Sequence, residues 1–305
     1  MRRSQILAAA AVFLALGACS PGGAPAAPAQ PAAPAAAQDI FRFKIGQLDA
    51  VALKDGDIQA PNDGKTFGVG VPTAEVGDVL KAAGLPPDVL ELSIQPLLVR
   101  AGDRVLLFDT GAGNASFAKA GRLPQSLKTA GVDPAKVTDI FLSHAHPDHV
   151  GGLVRPDGAL AFPKAVIHVS APEWAAMQAN SSQAKLVAAI APNVAAFRPG
   201  AVLIPGVVTA VEVKGHTPGH SAYEIASGDQ RLLFIGDAAH HFVISVQRPD
   251  WTIEYDGDPK TAEASRRALL QRAADQDLRL YAGHFPFPGL GHVKAQGDGF
   301  VWIPE

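Results

Sequence analysis

Phe141-Leu142-Ser143-His144-Ala145-His146-Pro147-Asp148-His149-Val150-Gly151-Gly152 is the stretch on which the reading of this chain turns. An apolar strand runs straight into three histidines and an aspartate held within six positions. In an extended loop, alternate side chains point the same way, so His144 and His146 share one side. Asp148 and His149 can then face a second point a few Å away. Imidazole nitrogens and carboxylate oxygens suit zinc and related divalent metals. The competing reading is a polar surface loop, but ten histidines scattered by chance over 305 residues would rarely cluster this tightly.

Outward from this loop, apolar runs alternate with turn residues. Phe41 to Ile45 alternates as a half-buried strand should, and Val51 to Leu53 follows with Asp55-Gly56 as a turn signal. Leu92 to Val99 and Val105 to Phe108 read as a hairpin turning at Ala101-Gly102-Asp103. Further strands are expected at Ile140 to Leu142, Ala165 to Val169, Val207 to Val213, Ala222 to Ile225 and Leu232 to Ile235, with Leu278 to Tyr281 closing the series. Ser170-Ala171-Pro172-Glu173 has the spacing of a capping box, and Asp258-Pro259 that of an N-cap before a first-turn proline. Groups of strands with helices between them predict an α/β sandwich.

The histidine-rich loop resembles the His-x-His-x-Asp-His signature of the metallo-β-lactamase superfamily. That resemblance implies an αββα sandwich of one domain, spanning residues 39–305. It also implies three downstream ligands, and a suitable residue stands at each place. His216 lies in Gly215-His216-Thr217-Pro218-Gly219-His220, Asp237 follows Leu233-Phe234-Ile235-Gly236, and His284 follows Tyr281-Ala282-Gly283. By the resemblance, His144, His146 and His216 hold one divalent metal ion and Asp148, His149 and His284 the other, with Asp237 bridging. A hydroxide between two such ions would be the nucleophile. Zinc is the expected metal, with manganese, iron or cobalt accepted by the same all-nitrogen-and-oxygen donor set. No serine nucleophile elbow is present, and the only cysteine lies outside the domain.

The same resemblance implies roles for neighbours. Asp109 in Phe108-Asp109-Thr110-Gly111 would support the metal loop, and His220 would be structural or support the ligands from behind, and not be a ligand itself. His240, three positions after Asp237, falls near a tyrosine that assists the carbonyl in acyl-homoserine lactonases, so donation to a substrate or leaving-group oxygen is its expected role. Trp174, Trp251, Ile253 and Tyr255 are candidates for pocket lining, with core packing as the equal alternative for each.

Within the superfamily, Asp237 argues against the β-lactamases, which place cysteine or serine there. The ending Phe285-Pro286-Phe287-Pro288-Gly289-Leu290-Gly291-His292 is similar to the methyl parathion hydrolase group, together with Ala161-Phe162-Pro163 and the motifs above. The function expected is hydrolysis of lactones or aryl esters, with a small-molecule substrate. Organophosphate triester hydrolysis is the alternative. A non-catalytic metal-binding lipoprotein is the reading from another class.

Composition bounds the remainder. A net charge of -3 and no dense Lys/Arg block speak against nucleic acid as a partner. Arg2-Arg3, the apolar run Ile6 to Leu16 and Leu16-Gly17-Ala18-Cys19 read as a secretory signal ending in a lipobox, residues 1–19. Cys19 would then carry a lipid anchor, and residues 20–38, almost wholly Ala, Pro and Gly, a tether. An ordinary signal peptide cut near Ala36-Ala37 is the other reading. Either implies export, to the periplasm or to a membrane as a lipoprotein.

Overall fold

The computed structural model describes residues 39–305. The signal segment, Cys19 and the Ala/Pro-rich tether lie outside the described residues. Strands β1 (Ile40–Ile45) and β2 (Leu48–Leu53) open the domain as a hairpin, turning at Gly46-Gln47. The turn expected at Asp55-Gly56 does not form. Asp55 is instead fully buried and accepts the main-chain N–H groups of Ala112 and Leu123, both at 2.8 Å. Strand β3 (Gly56–Pro61) then pairs with β4 (Val89–Ile94), and α1 (Thr73–Ala82) lies between them in sequence.

The single strand expected from Leu92 to Val99 is broken at Gln95-Pro96, so β4 belongs to a small two-stranded sheet. Strand β5 (Leu97–Ala101) joins the large one. Proline cannot donate to a ladder, which is why the run divides there. Strands β6 (Arg104–Phe108), β7 (Asp139–Phe141), β8 (Val166–Ser170) and β9 (Val194–Phe197) complete the first large sheet in the order β1-β2-β5-β6-β7-β8-β9. Helices α2 (Leu123–Ala130), α3 (Pro147–Val150), α4 (Ala171–Ala179) and α5 (Ala184–Ile190) occupy its connections.

The second large sheet runs in sequence order: β10 (Val202–Ile204), β11 (Val208–Glu212), β12 (Ser221–Ser227), β13 (Gln230–Phe234), β14 (Arg279–Tyr281), β15 (Leu290–Gln296) and β16 (Gly299–Pro304). Helices α6 (Ile244–Gln247) and α7 (Pro259–Asp275) interrupt it between β13 and β14. The series does not close at Tyr281 as expected. A last hairpin follows, and its Val293, Phe300 and Trp302 pack under the second sheet's outer layer.

Alternation along the strands explains the layering. Leu106 and Phe108 face inward with Phe141, Tyr223, Phe234 and Tyr281, forming the core between the sheets. Val105 and Leu107 face outward into a second core under α2, α4 and α5. Leu233 and Ile235 face outward against α7. Both faces of each sheet are therefore covered, which gives the αββα sandwich. Phe141 stacks between Phe108 at 4.9 Å and His168 at 4.7 Å, and removing a ring so enclosed costs about 3–5 kcal/mol.

The topology also decides where the chemistry lies. Strands β6 and β7 run parallel, as do β13 and β14, and β11 points the same way as β13 because both are antiparallel to β12. The loops after these five strands carry Asp109, His144 to His149, His216, Asp237 and His284. All emerge at one edge of the sandwich.

Candidate metal centre

His144, His146, His216 and Asp237 form one group of converging donor atoms, and Asp148, His149 and His284 form another. The residues named from the sequence as ligands are thus brought together in the two sets expected. Asp237 lies between the sets. Its Oδ1 is 3.2 Å from both His149 Nε2 and His284 Nε2, and its Oδ2 is 3.5 Å from His216 Nε2 and 3.7 Å from His144 Nε2.

Hydrogen-bond partners behind the rings favour a proton on the outer nitrogen of each. His149 Nδ1 faces Asp109 Oδ2 at 2.8 Å, His284 Nδ1 faces the Ser93 carbonyl at 2.7 Å, and His216 Nδ1 faces Asp256 Oδ1 at 2.8 Å. Ser143 Oγ donates to Asp109 Oδ2 at 2.7 Å, so at 3.0 Å it accepts from His144 Nδ1. A neutral ring at each of these positions therefore turns its unprotonated nitrogen inward. The inward nitrogens crowd together: His216 Nε2 lies 3.1 Å from His144 Nε2 and 3.0 Å from His146 Nδ1, and His149 Nε2 lies 3.3 Å from His284 Nε2. Asp237 Oδ1 is buried with no hydrogen-bond partner. Ring nitrogens facing one another beside an unpartnered carboxylate call for positive charge among them, from protons or from metal cations. The donor set fits divalent metal ions.

Protonation tendencies agree with that demand for positive charge. Burial pushes the His144 imidazole well below its usual pKa and His146 down to about 4, keeping both neutral and able to ligate. Burial also opposes charge on His149, but the carboxylates of Asp237, Asp148 and Asp109 outweigh it and hold that ring well above its usual value. His284 is held above its usual value in the same way by Asp237 and Asp148.

Supporting residues fix the loops. Asp109 adopts a left-handed backbone, φ 57°, and its carboxylate takes the Ser143 main-chain N–H at 2.7 Å as well as His149. A non-glycine residue in that conformation is strained and is often found at sites of function. His220 is not among the converging donors. Its Nε2 accepts the main-chain N–H of Asp237 at 2.9 Å. That approach requires Gly236, where an added Cβ would lie 2.6 Å from His220 Nε2.

Sequence reasoning missed two acidic residues. Glu173 reads as a helix-cap residue, yet its carboxylate accepts from Ala145 N, Thr217 Oγ1 and Gly219 N, joining two ligand loops. Asp256 orients His216 and is itself paired with buried Arg266 at 2.7 Å. Burial alone would raise the Asp256 pKa, but His216, His240 and Arg266 outweigh it and keep it low.

A cavity of about 440 Å³ opens beside both donor groups, lined by Ile58, Thr66, Phe67, Leu92, Phe117, His146, Asp148, Asp237, His240, Tyr255 and His284. Of the expected lining residues, Tyr255 is present and Trp174, Trp251 and Ile253 are not. Trp174 packs against the core beneath α4, and Ile253, 1% exposed, packs with Trp251 in the cluster around α1. Their bulk is used to bury apolar surface there. Phe67 and Phe117 take the wall positions instead. His240 is buried at the cavity, with its Nε2 3.1 Å from Asp237 Oδ2 but out of line for a hydrogen bond, and both ring nitrogens lack a partner.

Comparison with known proteins agrees with this geometry. Residues 91–284 match the metallo-beta-lactamase superfamily. A probable metallo-hydrolase of Mycobacterium tuberculosis is 26% identical over 237 residues, covering 62% of this chain and 74% of that one. Among solved structures, the chain is similar to AidC, a dizinc quorum-quenching lactonase in complex with a product, at 32% identity and a TM-score of 0.83. The match covers 87% of this chain and 97% of AidC. It is also similar to the hydrolase AbOPH, described in the beta-lactamase superfamily, at 31% identity and a TM-score of 0.78, covering 88% and 97%. Fold, donor set and sequence match converge: the chain belongs to the metallo-β-lactamase superfamily and is a metal-dependent hydrolase.

Proposed function

We propose that this chain opens lactones or aryl esters at a centre of two divalent ions, on the side of the superfamily that holds the lactonases and the methyl parathion hydrolase group. The observation that carries this reading is His240, buried in the lining of a largely apolar cavity with its Nδ1 unpartnered and its Nε2 3.1 Å from Asp237 Oδ2. His144, His146 and His216 would hold one ion, Asp148, His149 and His284 the other, and Asp237 would serve both. Two ions so held acidify a water and polarise the substrate's oxygen.

The chain's own residues do the rest. Burial lowers the His240 pKa, so at neutral pH the ring is uncharged and one nitrogen carries a proton. Donation of that N–H to the carbonyl or leaving oxygen would stabilise charge as the acyl carbon–oxygen bond breaks. The water oxygen joins the acyl carbon, and its proton ends on the released alcohol. Phe67, Leu92 and Phe117 exclude solvent and give an acyl or aryl group apolar surface. A storage role for the metal does not account for such a cavity. AidC, similar in fold and at 32% identity, is a lactonase, which supports the same reading.

Metal-analysed protein should be run against N-hexanoyl homoserine lactone, dihydrocoumarin, 4-nitrophenyl butyrate and paraoxon. A kcat/KM higher for the lactones or the aryl ester than for paraoxon is expected. Preference for paraoxon would reassign the chain to triester hydrolysis.

A further inference from the structure

Arg266 heads the fully buried side chains by volume, with 1% exposure. A buried guanidinium is costly unless its donors are met. Here its Nε donates to the Ala238 carbonyl at 3.0 Å, one terminal nitrogen to the carbonyls of Pro249 at 2.8 Å and Trp251 at 3.3 Å, and the other to Asp256 Oδ2 at 2.7 Å.

These partners lead in two directions. Asp256 passes to His216, whose Nδ1 it holds at 2.8 Å, and Ala238 directly follows Asp237 in the chain. Pro249 and Trp251 lead to the cavity wall. Thr252 O accepts from Gly68 N at 3.0 Å, and Glu254 N donates to Thr66 O at 3.0 Å, so residues 252–254 carry Thr66 and Phe67 alongside them. Thr66, Phe67 and Tyr255 line the cavity.

We propose that Arg266 is a positioning residue that fixes the His216 imidazole and the Thr66–Phe67–Tyr255 wall together, so that one guanidinium sets both metal affinity and acyl-group selectivity. The inference rests on the reading of His216 as a metal ligand. Lysine cannot substitute, because a point charge on a flexible stem cannot match a planar fork satisfying a carboxylate and three carbonyls.

The test compares wild type, Arg266→Lys and Asp256→Asn by three measurements. These are zinc affinity by chelator competition, the absorption spectrum of the cobalt-loaded protein, and the ratio of KM values for 4-nitrophenyl acetate and 4-nitrophenyl octanoate. Both variants should weaken zinc about tenfold or more and shift the cobalt spectrum, as loss of a partner behind a ligand does. Only Arg266→Lys should also change the KM ratio, because Asp256→Asn leaves the Pro249 and Trp251 carbonyls bound. Lowered thermal stability with wild-type zinc affinity and spectrum would show simple packing and overturn the proposal. A metal effect with an unchanged KM ratio in Arg266→Lys would overturn the coupling. Should Arg266→Lys not fold, unchanged zinc affinity in Asp256→Asn overturns the proposal by itself, and weakened affinity supports it. A wild type that binds no zinc sinks the ligand reading itself, and the proposal with it.

Discussion

Glu173 accepts the main-chain N–H of Ala145 at 2.9 Å, although the two residues stand on different elements. The same carboxylate takes Thr217 Oγ1 at 2.7 Å and Gly219 N at 2.9 Å, and Ser170 Oγ donates to the Gly219 carbonyl at 2.6 Å. Gly219 permits this contact, since a Cβ there would lie 2.3 Å from Glu173 N. The start of α4 thus clamps the loops bearing His144, His146 and His216. Glu173→Ala should leave two buried main-chain donors unmet, each at a cost of about 1–3 kcal/mol, and free the half-buried Thr217 hydroxyl. A fall in melting temperature of several degrees, together with weaker zinc retention on dialysis, is the expected result. Unchanged retention would show that the clamp holds the helix and not the ligands.

His240 gives a sharper functional prediction. His240→Leu should lower kcat for lactones about a hundredfold, the scale of losing one positioned proton donor, while the metal content stays at the wild-type value. Steady-state kinetics on metal-analysed protein decide it. An unchanged kcat removes His240 from the mechanism.

Away from the metal centre, Asp139 predicts a pH dependence of stability. Burial alone would raise its pKa, but hydrogen bonds from His168, Thr138 and Arg104 outweigh burial and hold it below the usual carboxylate value. The folded pKa is depressed, so the stabilisation is present above the unfolded value, near 3.8, and is lost as pH falls through the folded one. Asp139→Asn should therefore cost stability at pH 6 and progressively less below about pH 4. Urea midpoints of metal-free protein across that range test it, and a constant difference would contradict the assignment.

The order of legibility in this chain follows sequence separation. His144 to His149 lie within one loop, so their spacing alone exposes them. The strands bearing Phe108, Phe141 and Phe234 show as apolar runs because both faces of each sheet are buried. Glu173, Asp256 and Arg266 do their work through partners as far as 46 positions away, and no local pattern announces such contacts. The Ser170–Glu173 and Asp258–Pro259 spacings mark both helix starts without showing that the first grips ligand loops. The cavity wall is least legible: Phe67 and Phe117 stand outside any periodic run, whereas the larger Trp174 and Trp251 pack in the core clusters.

Lipid anchoring through Cys19 is a separate expectation. Wild type expressed with its first 38 residues should partition with membranes and incorporate labelled palmitate, and Cys19→Ala should do neither. A soluble, unlabelled wild type would favour an ordinary signal peptide.

The central claim is that these donor atoms hold two ions around Asp237. Metal analysis of purified protein, loaded with zinc and freed of excess, tests it most directly. About two ions per chain are expected, falling to about one or fewer in Asp237→Ala with the fold intact by circular dichroism. Wild-type protein that retains only a trace of zinc, or an Asp237→Ala variant that keeps the full complement, would contradict the account.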